Sequence, residues 1–72
     1  MRLWGADVPI VTIEMLEGRS ARQKASLYED ITAAFVKHAG SSREDVRIII
    51  REFQPESYAV GGVAFADLRR RT

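Results

Sequence analysis

The run Pro9-Ile10-Val11-Thr12-Ile13-Glu14-Met15-Leu16-Glu17-Gly18-Arg19-Ser20 leaves this chain few folds to choose from. Pro9 heads an apolar, β-branched stretch, a place where a missing N–H is tolerated in a strand. Side chains of Ile10–Leu16 alternate between two faces. Val11, Ile13 and Met15 make one wholly apolar face; Ile10, Thr12, Glu14 and Leu16 make a mixed one. Gly18 can take a positive φ and turn the chain. Ser20 and Gln23 then form a capping box, which satisfies two donors at a helix start. The helix predicted over Ser20–Ala39 carries Leu27, Ile31, Ala34, Phe35 and His38 on one face, widened by Ala21, Ala25 and Tyr28. Gly40 ends it as a left-handed cap. Ser42–Asp45 reads as one capped turn, and Val46–Phe53 as a second strand. A strand, a covering helix and a second strand of these lengths imply a parallel pair with a right-handed crossover.

That unit is incomplete. The helix covers the face with Val46, Ile48 and Ile50, which leaves Arg47, Ile49, Arg51 and Phe53 on a bare face. Two parallel strands also leave open edges that invite pairing with another chain. A chain of 72 residues is a single domain. At this size folding buries only about 60% of the surface of the unfolded chain. There is no cysteine, so no disulfide can compensate. Self-association is the remaining route, and identical partners are the simplest supply.

The remainder is shorter. Gln54-Pro55-Glu56-Ser57 reads as a turn. Tyr58–Phe65 reads as a short hairpin or an extended arm laid on a neighbouring subunit, with Gly61-Gly62 free to turn. Ala66–Thr72, with Arg69-Arg70-Arg71, reads as a solvated tail. Met1–Val8 shows no period; Leu3 and Trp4 are candidates to pack on a neighbour or over a pocket mouth. Formal net charge is +1, which implies neither nucleic acid nor an anionic membrane as partner. No apolar run is long enough to span a bilayer, and a cytoplasmic location is expected. One histidine, His38, and no cysteine make a metal site within one chain unexpected. His38 itself reads as structural or solvated. No phosphate loop or serine elbow is present, and no cofactor is implied.

Pro9-Ile-Val-Thr-Ile-Glu-Met-Leu-Glu-Gly-Arg-Ser20, Gln23-Lys24, Val46-Arg47-Ile48-Ile49-Ile50 and Tyr58-Ala59-Val60-Gly61-Gly62 together resemble a small tautomerase of the 4-oxalocrotonate tautomerase family. The resemblance runs from Pro9 to about Arg71. It implies an α/β (α+β) subunit of β-α-β form with a C-terminal hairpin, assembled as a hexamer, a trimer of dimers. It divides the chain into a domain at 9–72 and an extension at 1–8. The implied activity is cofactor-independent isomerisation of a small unsaturated 2-oxo (enol) carboxylate by proton transfer. Pro9 matches the family's catalytic proline. Arg19 matches the arginine that binds a substrate carboxylate. Arg47 matches the arginine that holds the carbonyl side and draws electron density as the dienolate develops. Tyr58 matches an aromatic wall that is usually Phe. Family pockets take these groups from more than one subunit.

The chemistry is workable if Pro9 is amino-terminal. Its nitrogen is then a secondary amine, and α-amino groups titrate near 7.7–8.0. Apolar surroundings or nearby arginines lower that value by disfavouring the charged form. In the family the proline is exposed by removal of the initiator Met. Here eight residues precede it, and Val8 is what a GTG start codon would give if translated internally. With those residues in place the nitrogen is an amide. The alternative reading is therefore a non-catalytic or altered member that binds a ligand, or one that uses another base: the Met1 amine, Glu14 or Glu52.

Overall fold

The structure, a computed structural model, describes residues 8–71. Leu3 and Trp4, and hence their expected packing, lie outside the described residues. Strand β1 spans Ile10–Leu16, helix α1 spans Ala21–Ala39 and strand β2 spans Arg47–Phe53. The two strands pair in parallel, with Ile10 opposite Arg47 and Leu16 opposite Phe53. The amide of Glu17 donates to the Phe53 carbonyl at 2.9 Å and carries the ladder one residue further. The expected β-α-β unit is therefore present, with β2 beginning one residue later than Val46.

Both ends of α1 are fixed by the residues that predict them. Ser20 is extended at φ −73° and ψ 164°. Its Oγ accepts from the Gln23 amide at 3.1 Å, and Gln23 Oε1 accepts from the Ser20 amide at 2.9 Å. Gly40 closes the helix at φ 71°, its amide donating to the Phe35 carbonyl. Ser20→Ala removes one half of this box, so we expect a loss of about 1 kcal/mol. In a domain of this size that lowers the thermal midpoint by about 4–8 °C, measurable by circular dichroism.

Helix α1 lies over one sheet face. Val11, Ile13 and Met15 from β1, Ile48 and Ile50 from β2, and Leu27, Ile31 and Phe35 from α1 are half-buried between the layers. Lys24 Nζ meets Glu52 Oε1 at 3.2 Å and ties helix to strand. The stripe on α1 is narrower than its periodicity predicts. Ala21, Ala25, Ala34 and His38 are exposed, and Tyr28 is partly exposed beside Val46 and Ile48.

The other sheet face is bare. Ile10 is 64% exposed and Ile49 44%. Among the described residues no apolar side chain is buried, and Asp45 is the most enclosed, at 6% exposed.

After β2 the chain makes a 3₁₀ turn at Pro55–Ser57, then a hairpin of β3 (Ala59–Val60) and β4 (Val63–Ala64). Gly61 and Gly62 both have positive φ, 61° and 85°. A two-residue turn with both centres left-handed matches the twist of the strands it joins. The hairpin alternative of the sequence reading is the one found. Val60 at its tip is 50% exposed. Ser42 starts the expected turn at Arg43–Asp45, but its side chain makes no capping bond.

The solvated tail is a correction. Phe65–Arg71 forms a second helix, α2. Ala66, Leu68 and the arginines are strong helix formers. Arg70 pairs with Asp67 one turn earlier, and the Arg69 guanidinium lies 5.4 Å from the centre of the Phe65 ring. The arginine run is thus spent partly on the helix itself. Among the described residues no helix is long and apolar enough to cross a membrane.

Candidate active site

The four candidate residues fall at two ends of one ladder. Pro9 lies half-buried just before β1, and its carbonyl accepts from the Arg47 amide at 3.0 Å. Pairing thus sets the backbones of Pro9 and Arg47 side by side where both strands begin. The Arg47 side chain is turned back over the preceding 3₁₀ turn. Its Nη1 donates to the carbonyl oxygens of Asp45 at 2.7 Å and Glu44 at 3.2 Å.

Arg19 and Tyr58 sit where the strands end. Arg19 Nη1 donates to the Leu16 carbonyl at 3.4 Å, a long bond at an exposed position. The Tyr58 ring stacks on Phe53 at 5.2 Å and meets Phe65 edge-on at 5.7 Å. The Tyr58 carbonyl accepts from the Phe65 amide at 2.6 Å, which clamps the base of the hairpin. Tyr58 is thus packed between two rings while 45% exposed. A strand of seven residues at 3.3 Å per residue puts about 20 Å between the two ends. One chain does not join Pro9 to Arg19 or Tyr58.

At the Tyr58 end an open pocket of about 600 Å³ is lined by Glu14, Leu16, Arg51, Glu52, Phe53, Ser57 and Tyr58. Its floor is apolar and aromatic. Glu14 and Arg51 stand opposite each other in the register and bring one charge of each sign to its rim. Sequence reasoning named Tyr58 but not Arg51, Leu16 or Phe53 as pocket residues. Alternation placed Arg51 and Phe53 on the right face; only the turn at Pro55–Ser57, which folds Tyr58 back on Phe53, makes that face a pocket.

Two residues raised as other bases are also placed. Glu52 is paired with Lys24 of α1 and also lines the pocket at the Tyr58 end. Glu14 is exposed on the bare face. His38 is exposed near the end of α1, away from both clusters. Among the described residues no group of three or more His, Cys, Asp or Glu side chains could hold a metal.

The sequence model described as "Tautomerase enzyme" matches residues 9–68. The chain belongs to that family. A probable tautomerase of Bacillus cereus is 42% identical over 60 residues, which cover 83% of this chain and 98% of that relative. Among solved structures, TomN, a 4-oxalocrotonate tautomerase homologue of the tomaymycin biosynthetic pathway, is 41% identical with a TM-score of 0.80. That match covers 89% of this chain and 97% of TomN. A heterohexamer 4-oxalocrotonate tautomerase from Chloroflexus aurantiacus J-10-fl is 40% identical with a TM-score of 0.77, over 86% of this chain and all of that one. The family's fold is thus the fold described above, and the family model matches from Pro9 onward.

Proposed function

We propose that this tautomerase-family chain is a cofactor-independent isomerase of small unsaturated 2-oxo carboxylates in the cytoplasm. It acts as a homo-oligomer, by family resemblance a hexamer built as a trimer of dimers. The observation that carries the shared site is the separation along the ladder. Pro9 and Arg47 stand about 20 Å from Arg19 and Tyr58. A substrate of six or so carbons cannot bridge that gap. Neighbouring copies must set the strand start of one against the strand end of another.

In such a site the Pro9 amine takes the enol proton, and the prolinium returns a proton to carbon. A base with a pKa near the working pH serves both steps. Arg19 holds a carboxylate through its forked donors. Arg47 faces the oxygen on which charge grows and stabilises the dienolate more than the ground state, which is what accelerates the reaction. Leu16, Phe53 and Tyr58 supply the dry wall. The second reading, a family member that binds a ligand without turning it over, is favoured by one fact: a Pro9 nitrogen acylated by Val8 is an amide and has no useful basicity.

The assay is ketonisation of 2-hydroxymuconate by the assembled protein. Arg47→Ala is expected to lower kcat/KM by about 10²–10³-fold, the usual cost of one oxyanion donor, with the sedimentation coefficient unchanged. Unaltered kinetics would remove Arg47 from the site.

A further inference from the structure

The pocket floored by Leu16, Phe53 and Tyr58 has one cation in its lining among the described residues, and it is Arg51, not Arg19. The mechanism above gives Arg51 no task. Arg19 lines a separate depression with Met15, Gln23, Lys24, Leu27 and Asp30, on the side of α1. Met15 and Leu16 point to opposite faces of their strand. The two arginines therefore approach the strand end from opposite faces of the sheet.

Register and alternation fix where Arg51 stands. It lies opposite Glu14, as Phe53 lies opposite Leu16. Phe53 is two residues beyond it on the same face, about 7 Å along the strand, and the Tyr58 ring stacks on Phe53 at 5.2 Å. Arg51 is exposed, and among the described residues its guanidinium has no hydrogen-bond or ion-pair partner. Two carboxylates share the lining. Glu52 is engaged by Lys24 at 3.2 Å, which leaves Glu14 as the competing charge. A forked cation beside an aromatic floor suits a carboxylate carried on a flat, conjugated frame. The rings take the frame, and the fork takes both oxygens.

We propose that Arg51 is a substrate-binding residue that receives a second carboxylate, at the tail of a conjugated dicarboxylate, and so selects such substrates over monocarboxylates. The inference rests on the reading of the Tyr58 end as one half of the shared site, and adds to it a grip separate from that of Arg19. Glu14 tempers the grip, because it presents like charge to the incoming carboxylate across one ladder position. Selectivity at this end is then set by two residues of opposite sign, one that attracts the tail and one that repels it.

The test measures binding to the assembled full chain by calorimetry, with muconate and sorbate as probes. The two share one diene frame, and sorbate has a methyl group where muconate has its second carboxylate. The parent should bind muconate the more tightly. Arg51→Gln should weaken muconate about tenfold and leave sorbate unchanged. Arg51→Lys, which keeps the charge and loses the fork, should recover part of that loss, and it carries the test if sedimentation shows that Arg51→Gln fails to assemble. Glu14→Gln should act in the opposite direction and tighten muconate. A parent without preference for muconate overturns the proposal, and so does an unchanged muconate affinity in Arg51→Gln or an equal loss for both ligands. A loss in Glu14→Gln as large as that in Arg51→Gln also overturns it, since the two residues would then serve the pocket's structure and not the ligand. Ketonisation of 2-hydroxymuconate is followed in parallel. Muconate binding that depends on Arg51, without ketonisation by the full chain or by one that begins at Pro9, sinks the isomerase reading and leaves the Arg51 grip standing. Ketonisation with muconate affinity unaltered in Arg51→Gln does the reverse.

Discussion

A chain that begins at Pro9 should turn over 2-hydroxymuconate roughly 10²–10⁴-fold faster than one that keeps Met1–Val8, the range that a positioned general base contributes. The argument is about one nitrogen. Joined to Val8 it is a tertiary amide, its lone pair delocalised into the carbonyl. Set free, it is a secondary amine that titrates near neutrality. The bond from the Arg47 amide goes to the Pro9 carbonyl and not to that nitrogen. Activity confined to the shorter chain makes Pro9 the base. Equal activity of both chains would defeat the proline mechanism and pass the proton to another group. Silence from both would leave the fold in use for binding.

The second large effect concerns assembly. Ile49→Asp should abolish the oligomer and, with it, the folded subunit. Ile49 and Ile10 are exposed on the bare sheet face, and no apolar side chain of the described residues is fully buried within one chain. Such a subunit lacks the buried surface that holds a domain together. Covering the exposed 44% of Ile49 against a neighbour is worth about 1 kcal/mol per copy. An aspartate there instead carries a charge into the interface, and the penalty recurs in every subunit. Sedimentation with circular dichroism reads both losses at once. A well-folded 8 kDa species, from either the variant or the parent, would contradict the proposed assembly.

Much of this molecule can be read from its letters, for reasons that lie in particular residues. Ser20 and Gln23 announce the start of α1, and Gly40 its end, because caps are local hydrogen-bonding problems with few solutions. Alternation in Ile10–Leu16 and Arg47–Phe53 gives both faces of the sheet. Gly61-Gly62 gives the hairpin turn. The failures are equally physical. Phe65–Arg71 looks like a tail because three consecutive arginines suggest solvent. The pairing of Arg70 with Asp67 and of Arg69 with Phe65 is visible only once the turn of helix is built. Ala21 and Ala25 follow the right period but stay exposed. The pocket beside Tyr58 depends on the chain folding back after Phe53, and the burial of Asp45 on how its turn meets the ladder. Neither is encoded in a short pattern.

The separation of Pro9 and Arg47 from Arg19 and Tyr58 has a consequence for inheritance. In the proposed assembly each chain gives its strand start to one site and its strand end to another. A lesion in Arg19 and a lesion in Pro9 on different copies would then be complementable, because some junctions would receive two intact halves. A lesion that unseats the hairpin would act the other way and spoil sites shared with normal neighbours. The same division gives duplicated genes an opening. One copy can keep the base and lose the carboxylate grip, the other can do the reverse, and a mixed ring remains functional at half its seams.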